Sequence, residues 1–200
     1  MVGSAVVPPV STNAADELER LWYDCRNMTG GRRTRWFTLP FSEAFAIIAF
    51  YRFNRAAYLT FGRTWVLFRT LTSPLNPLIR IFVPTQIDYR ADIGPGFRIL
   101  HPQLGVVIGG RVRAGKGLIL AGGNCIGGGA AVLGNWVQLG ANATVMGEVT
   151  LGNGVRIGAG AVVVKDFAGP GTLVGVPAEP VGTPTGDATA TTLDEADFTI

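Results

Sequence analysis

The 200-residue sequence contains little of the chemistry that metal sites and disulfide frameworks require. It has one histidine, His101, and two cysteines, Cys25 and Cys125, which lie in different parts of the chain. Protein metal sites need several His, Cys or carboxylate ligands together, and the acidic residues here do not cluster to replace them. The sequence therefore predicts no metal site, no disulfide framework and a reducing, cytoplasmic setting.

The sequence also lacks a leader-like start and any long apolar run. Residues 1–10 have neither the charged start nor the long apolar core of a secretory signal. Nowhere do about eighteen uncharged apolar residues follow one another, which is the length that a membrane-spanning helix needs. These absences predict that the chain is neither exported nor membrane-spanning.

What the sequence does have is a regular return of small and aliphatic residues over 87–163. One series recurs every six residues, with a single slip after its fourth member: Ile108, Ala114, Leu120, Ile126, Leu133, Leu139, Val145, Leu151, Ile157 and Val163. A second series lies two residues earlier: Val106, Val112, Leu118, Val137, Ala143, Val149, Val155 and Ala161. A period of six fits neither an α-helix nor an ordinary sheet, but it fits a solenoid that buries one side chain per flat side. The period predicts an all-β solenoid with glycine at many corners.

The chain before the solenoid carries helical signals. A short helix is predicted after Asn13, a suitable N-cap, and one or two longer helices after Ser42, with an interruption near Gly62. A solenoid exposes an apolar end, so a cap is expected after its last coil. The chain therefore divides into a disordered tail over 1–13, a helical, basic and aromatic segment over 14–83, the solenoid over 84–168, a C-terminal cap loop over 169–182 and an acidic disordered tail over 183–200.

The helical segment is unusually basic. Between Arg26 and Gln86 there are nine arginines and one acid, Glu43. Two interpretations are open and can hold together. The helices pack as a buried pair on the solenoid or on a neighbouring subunit, or residues 41–83 associate with a membrane surface and place arginines at anionic headgroups. No nucleic-acid-binding motif accompanies the charge, so nucleic acid is not expected as a partner.

A break in the period indicates where chemistry is placed. Ile99 and Ile108 are nine residues apart instead of six, so three extra residues bulge from the coil, and the bulge contains His101. An imidazole titrates near neutral pH and is the natural base for a hydroxyl acceptor. The alternative is that a lone histidine on a loop is a solvated surface residue. Cys125 is expected in a coil wall, which does not favour nucleophilic catalysis.

Three motifs accompany the period, namely ILHPQLGVVIGG, IGAGAVVVKDF and VGVPAEPV. With the period, they make residues 86–182 resemble the hexapeptide-repeat acyltransferases. The likeness is to the serine acetyltransferase-like branch, which also includes O-acetyltransferases of exopolysaccharide synthesis. The resemblance implies a left-handed parallel β-helix and a homotrimer. It also implies that acetyl-CoA, the acyl donor, binds in the groove between adjacent subunits, and that no metal takes part.

The same resemblance implies roles for particular residues. His101 matches the base that takes the proton of the acceptor hydroxyl, so that the oxygen attacks the thioester directly. Gln86 stands where the family has an Asp that orients this histidine, and Asp88 is near it in sequence. The residues matched to acetyl-CoA binding are Gly127 and Gly128 beside the thioester, Gly140, Ala141, Gly158 and Ala159 along pantetheine, and Lys165, Val176, Pro177 and Ala178 at the nucleotide end.

Departures from the family pattern bear on the acceptor. Serine acetyltransferases have an Asp directly before the catalytic histidine, where it helps to bind the amino acid, and this chain has Leu100. They also have a long loop with a second histidine after the paired glycines, which is missing here. Glu179 stands where a basic residue would often meet the CoA phosphate. The resemblance therefore favours another hydroxyl over that of serine.

The sequence thus predicts an acetyl-CoA-dependent O-acetyltransferase. The acceptor is expected to be a sugar hydroxyl of a polysaccharide or of its lipid-linked precursor, and the protein is expected in the cytoplasm, peripherally at the inner face of the membrane. The alternative enzyme is a serine O-acetyltransferase of cysteine biosynthesis. A different class of protein stays open as well, an inactive trimeric β-helix that serves as a scaffold or binding module.

Overall fold

A computed structural model describes residues 11–30, 35–72 and 84–181. The first ten residues of the predicted N-terminal tail and the predicted tail over 183–200 lie outside the described residues. The helices are α1 (Ala14–Thr29), α2 (Arg35–Thr38), α3 (Glu43–Phe61) and α4 (Arg63–Thr72), with short 3₁₀ turns at Leu39–Phe41 and Pro102–Leu104. Asn13 caps α1 as predicted, because its Oδ1 accepts the N–H of Asp16 at 2.8 Å.

The rest of the described chain winds through three parallel sheets. Sheet A contains β1 (Gln86–Ile87), β4 (Val106–Ile108), β7 (Asn124–Gly127), β10 (Thr144–Met146) and β13 (Val162–Val163). Sheet B contains β2 (Asp92–Ile93), β5 (Arg113–Ala114), β8 (Val132–Leu133) and β11 (Thr150–Leu151). Sheet C contains β3 (Arg98–Ile99), β6 (Ile119–Leu120), β9 (Gln138–Leu139), β12 (Val155–Ile157), β14 (Gly171–Val174) and β15 (Glu179–Val181). This is the predicted β-solenoid, with about five coils.

The register of the sheets explains the six-residue period. On sheet A, Ile87 pairs with Ile108 and Ile108 with Ile126, so that equivalent residues of successive coils stack. Both apolar series face the interior, and their members are buried. Asn124 is the exception in the second series. It is buried, but its amide donates to the carbonyls of Gly140 and Ala143 and accepts the N–H of Gly122.

Two corners of the coil are named by the sheets that they join. The C–A edge comprises residues 100–105, 121–123, 140–143, 158–161 and 175–178. The A–B edge comprises residues 88–91, 109–112, 128–131, 147–149 and 164–166.

The last coil runs further than the sequence indicated. Gly171–Val174 pairs in parallel with β12, so the boundary expected at residue 168 falls within the fifth coil. The chain then turns back, and Glu179–Val181 pairs antiparallel with β14. The C-terminal cap is therefore a strand hairpin at the edge of sheet C.

The N-terminal helices cover the open end of the first coil through a buried ion network. The network contains three carboxylates and three guanidinium groups, those of Glu17, Asp24, Asp92, Arg20, Arg52 and Arg55. Arg52 lies 3.0 Å from both Glu17 and Asp24, and Arg55 lies 3.0 Å from both Glu17 and Asp92. The charges balance, which makes their burial tolerable.

The same side chains pair with backbone groups of the first coil, which has no earlier coil to pair with. Arg52 donates to the carbonyls of Ile93 and Gly94 at 2.6 and 2.8 Å. Asp24 accepts the N–H groups of Gly96 and Phe97 at 2.7 and 2.9 Å. Burial raises the pKa of Asp24 above its ordinary value, although Arg52 opposes the change. The helices thus supply hydrogen-bond partners that an earlier coil would otherwise provide.

Tyr51 adds a neutral contact between α3 and the first coil. Its hydroxyl donates to the carbonyl of Ala91 at 2.9 Å and accepts the N–H of Ile93 at 3.3 Å. Complete burial raises the pKa of Tyr51 to about 12, so the phenol stays neutral and keeps its donor. Ser11, which was expected within the disordered tail over 1–13, is instead buried, and its N–H donates to Asp92 at 3.1 Å.

The helical segment packs on the solenoid, which corrects one expectation. Arg52 and Arg55 are 1% and 3% exposed and face the ion network, so they do not reach headgroups at a membrane surface. The outer faces of the helices are apolar, with Phe41, Phe50, Phe53, Phe61, Leu67, Phe68 and Leu71 exposed. Among the described residues, no helix has both the length and the apolar character that crossing a bilayer demands.

Candidate active site

His101 lies at the C–A edge of the first coil, where the chain leaves β3. Its N–H donates to the carbonyl of Ala121, one coil further, at 3.0 Å, and its own carbonyl accepts the N–H of Leu104 at 3.2 Å. The bulge predicted from the spacing is the 3₁₀ turn Pro102–Leu104. Within the described residues no hydrogen bond or ion pair engages the imidazole, and the residue is exposed. The backbone therefore holds the histidine while its ring is open to a ligand.

Small residues continue along the same edge on the later coils. Gly140–Ala141 occupies the third coil, Gly158–Ala159 the fourth, and the loop Val176–Ala178 follows the fifth. The loop is tied to sheet A because the Ala178 N–H donates to the carbonyl of Val162 at 2.8 Å. A Cβ at position 140 would lie 2.6 Å from the backbone nitrogen of Ala159, so stacking itself requires this glycine. The structure thus places His101 on the same edge as seven of the residues predicted to bind acetyl-CoA.

A second group of predicted residues lies at the A–B edge, across sheet A. A groove of about 380 Å³ is lined there by Arg90, Gly109, Gly110, Arg111, Gly127, Gly128 and Gly129. Gly105 and Gly109 bracket β4, and four extended residues span about 13 Å, so the groove is distant from His101 of the same chain. A single chain therefore carries two separate halves of the predicted site.

The glycines of the groove are present for different reasons. A Cβ at Gly129 would lie 2.2 Å from the backbone of Gly147, and Gly128 has a φ of +73°, which disfavours other residues. At Gly127 neither reason applies, because the nearest atom to an added Cβ would be the nitrogen of Gly109 at 4.0 Å. Packing does not require the glycine at 127, and its effect is to leave the groove open.

Backbone donors also face this region. In the part of the chain that the structure describes, the N–H groups of Gly128 and Gly129 donate to no carbonyl or side chain. Amide donors without a partner at an accessible edge suit an oxyanion or a phosphate oxygen.

The two residues proposed to orient His101 occupy different places. Gln86 is exposed at the start of β1, and the hydroxyl of the preceding Thr85 lies 3.4 Å from the carbonyl of Pro102. Asp88 lies at the A–B edge instead, where it accepts two hydrogen bonds from the Arg90 guanidinium at 3.1 and 2.9 Å. Among the described residues neither is hydrogen-bonded to the imidazole, so their roles stay predictions.

The pKa of Asp88 is lower than usual. Partial burial would raise it, but the hydrogen bonds and charge of Arg90 outweigh burial. The carboxylate is therefore ionised and is hydrogen-bonded to Arg90.

Lys165, predicted at the nucleotide end of the donor, forms an exposed ion pair with Glu179 at 3.4 Å. From the sequence these two residues were interpreted separately.

Sequence reasoning missed the two arginines of the groove. A signal was present, because Arg90 and Arg111 each follow the stacked residues Ile87 and Ile108 by three positions. Equivalent positions of adjacent coils are neighbours in space, so a pair of like charges at this interval marks a basic patch on one corner.

Comparison with known proteins agrees with this architecture. Residues 130–165 match the bacterial transferase hexapeptide family (six repeats). No curated protein sequence gives a significant match. Serine acetyltransferase of Neisseria gonorrhoeae is 27% identical, with a TM-score of 0.68 over 85% of this chain and 66% of that one. Its complex with serine is 29% identical, with a TM-score of 0.66 over 83% and 69% of the two chains. A serine acetyltransferase complex with CoA, 22% identical, has a TM-score of 0.67 over 84% and 70% and shows the shared fold.

The solenoid is thus a left-handed parallel β-helix, and the repeat and the solved structures support the likeness to the hexapeptide-repeat acyltransferase superfamily. Within that superfamily, the likeness is to the serine acetyltransferase-like branch, in agreement with the motifs of the sequence. The chain spans about two thirds of the length of the solved structures that it matches, 66% of the gonococcal enzyme. The predicted class of enzyme, an acyltransferase, is confirmed.

Proposed function

We propose that the protein is an acetyl-CoA-dependent O-acetyltransferase that works as a homotrimer and acetylates a sugar hydroxyl of a polysaccharide or of its lipid-linked precursor. The observation that supports this most is the open imidazole of His101 at the head of a column of small residues. A flat edge of this kind accommodates the pantetheine arm, and the matched solved structures include an acetyltransferase with CoA bound. The cytoplasm, where acetyl-CoA is made, is the proposed location.

The reaction needs one base and one set of amide donors. His101 takes the proton of the acceptor hydroxyl as the oxygen attacks the thioester carbonyl, and the negative charge that develops on the carbonyl oxygen is met by the N–H group of Gly128, which matches the family's glycine beside the thioester. The C–S bond then breaks, the ester remains on the acceptor, and the imidazolium returns its proton to the CoA thiolate. Gln86, at the same edge as His101, is the proposed partner that orients the ring.

The homotrimer follows from the division of the site between two edges. His101 and the Gly127–Gly129 groove are separated by sheet A in one chain, so a complete site requires His101 of one copy to face the groove of its neighbour. Threefold symmetry produces three identical grooves of this type and closes the assembly.

Removing the base tests the chemistry. We expect His101→Ala to lower kcat/KM by about a hundredfold or more, the usual scale of general-base catalysis, while the Kd for acetyl-CoA stays the same. Gln103→Ala is the matched control, since Gln103 is exposed on the same 3₁₀ turn. The measurement is CoA release with each acceptor. Release that is unchanged in His101→Ala refutes the base, and no transfer to any acceptor supports the scaffold alternative.

Mixed oligomers test the shared site. Gly127→Val narrows the groove from a position where an added Cβ would lie 4.0 Å from its nearest neighbour, and His101→Ala removes the base from the other edge. Each variant alone is expected to be inactive. Co-expressed and purified together through two tags, they should recover activity, because each mixed trimer has one groove in which both halves are intact. No recovery would place both halves of each site in one copy.

Serine is the second candidate acceptor, and the solved gonococcal complex with serine favours it. Against it, the residue before His101 is Leu100, which is 44% exposed and offers no charge to an ammonium group. CoA release with L-serine, measured beside a panel of sugars and sugar phosphates at equal concentration, separates the two. A kcat/KM for serine above that of every sugar would make the protein a serine O-acetyltransferase.

Peripheral membrane association is the last part of the proposal. The exposed aromatic faces of α3 and α4 support it, since such side chains partition into the lipid boundary. Flotation with anionic vesicles at low salt should carry the protein upward, and Phe50→Ser with Phe53→Ser should reduce the bound fraction. Protein that stays at the bottom of the gradient would leave these helices with a packing role alone.

A further inference from the structure

The groove at the A–B edge concentrates positive charge where the fold does not need it. Arg90 and Arg111 occupy equivalent positions of the first and second coils, and Gly129 occupies that position on the third. Like charges on neighbouring strands repel each other, so an anion bound between them would stabilise such a pair.

The two arginines differ in how they are held. Arg90 donates from Nε and Nη2 to Asp88, and its guanidinium lies 5.8 Å from the centre of the Tyr89 ring, which leaves Nη1 available. Arg111 is exposed and, among the described residues, has no carboxylate or hydrogen-bond partner. The charge of Arg90 is therefore balanced by Asp88, whereas the charge of Arg111 gives the groove one positive charge in excess.

Beside Arg111, on the next coil, the backbone supplies a neutral donor. The N–H group of Gly129 is without a partner in the described chain, and Gly127 leaves room in front of it. Guanidinium groups and backbone amides together form the usual site for a tetrahedral phosphate, which accepts several hydrogen bonds at once.

We infer that this groove binds a phosphate or diphosphate group of the acceptor, so that the acetylated sugar is presented as a phosphate ester. The inference rests on the proposed function, because the acetyl end of the donor is placed at Gly127. The nucleotide end is placed at the fifth coil, three coils from Arg111, a distance of about 14 Å at the spacing of neighbouring strands. An anion beside Arg111 is then not the pyrophosphate of CoA.

Binding of inorganic pyrophosphate tests the site independently of catalysis. The measurement is calorimetric titration in the presence of saturating CoA, which occupies the donor site. We expect Arg111→Gln and Arg90→Gln each to weaken binding by about tenfold or more, the scale of a lost charge-assisted hydrogen bond. Arg113→Gln is the matched control, since Arg113 is exposed on the outer face of β5, two residues away, and should change Kd less than twofold.

Two outcomes of this titration overturn the inference. Equal weakening in Arg111→Gln and Arg113→Gln shows a general effect of charge and no site. Loss of pyrophosphate binding when CoA is added to the parent protein assigns the anion site to the donor. Neither result depends on whether any acceptor is acetylated. The titration therefore distinguishes a failure of this inference from a failure of the proposed function.

Kinetics identify the source of the anion. Hexoses are compared with their phosphate esters and with L-serine as acceptors. Arg111→Gln is expected to raise KM for the phosphate ester about tenfold and to leave KM for acetyl-CoA and for the uncharged hexose unchanged. If Arg111→Gln raises KM for serine and not for the phosphate ester, the group bound is the carboxylate of an amino acid and the phosphate assignment is wrong.

Discussion

The β-helix and the helical cap meet at the first coil, and their contacts are built from opposite chemistry. Inside the solenoid, stacked aliphatic side chains are surrounded by other aliphatic side chains and the backbone is paired coil to coil. Between the cap and the first coil lie three carboxylates and three guanidinium groups. Each later coil pairs its backbone with the coil before it. The first coil has no predecessor, so its hydrogen-bond donors and acceptors must come from another part of the chain.

The largest effect is expected where the charged contact is broken. Arg52→Leu leaves Asp24 buried without its guanidinium partner, removes one of the partners of Glu17 and removes the donor to the carbonyl of Gly94, so we expect a loss of about 3–5 kcal/mol in the free energy of unfolding. Urea denaturation at pH 7 measures it. Arg63→Leu, at an exposed arginine at the start of α4, is the control. A loss below 1 kcal/mol at position 52 would mean that water replaces the network at little cost.

A smaller and more local effect is expected in the solenoid. Leu133→Ala removes a fully buried side chain from the third coil and should lower the free energy of unfolding by about 2–5 kcal/mol, with neighbours on both sides able to relax into part of the space. Val164→Ala, at a half-exposed residue, should change it by less than about 1 kcal/mol. If Leu133→Ala cost more than Arg52→Leu, aliphatic stacking would outweigh the charged cap.

The smallest effect is expected at an exposed ion pair. The lowered pKa of Asp88 means that the unfolded chain binds its proton more readily, so the contribution of this pair is present above the unfolded pKa and is lost as the pH falls through the folded value. Asp88→Asn should therefore cost about 0.5 kcal/mol at pH 7, and the cost should decrease as the pH falls below the ordinary pKa of an Asp carboxyl. Urea denaturation at pH 7 and at pH 3 measures the difference. An equal cost at both would show that Asp88 acts through packing.

The difference between the two regions also decides what the sequence can predict. The coils repeat a local rule, so Leu133 and Ile157 were assigned to the core from their spacing alone. The bulge that holds His101 was found as an interruption of that rule. The ion network follows no such rule: Glu17 and Asp24 resemble solvent-exposed acids of a short helix, and Arg52 is 41 residues from the carbonyl that it binds.

The candidate site was predictable residue by residue but not as an arrangement. The motifs pointed to His101 and to the glycines of the groove, and the structure places them at different edges of one sheet. The spacing of residues along the chain does not show which corner of the coil a residue occupies. The extra residues that interrupt the six-residue period must first be assigned to a particular corner. Arg111 was overlooked because an isolated arginine after two glycines is ordinary, and it becomes notable only beside its counterpart one coil earlier.

The position of the cap bears on how the chain is assembled during synthesis. The helices that supply Arg52 and Asp24 leave the ribosome before the first coil does, so the coil meets a finished template as it emerges. Every later coil finds its partner already made, since each parallel strand pairs with one nearer the N-terminus. Winding can therefore proceed at the pace of translation, with no strand waiting for a distant segment, until the closing hairpin at Glu179–Val181.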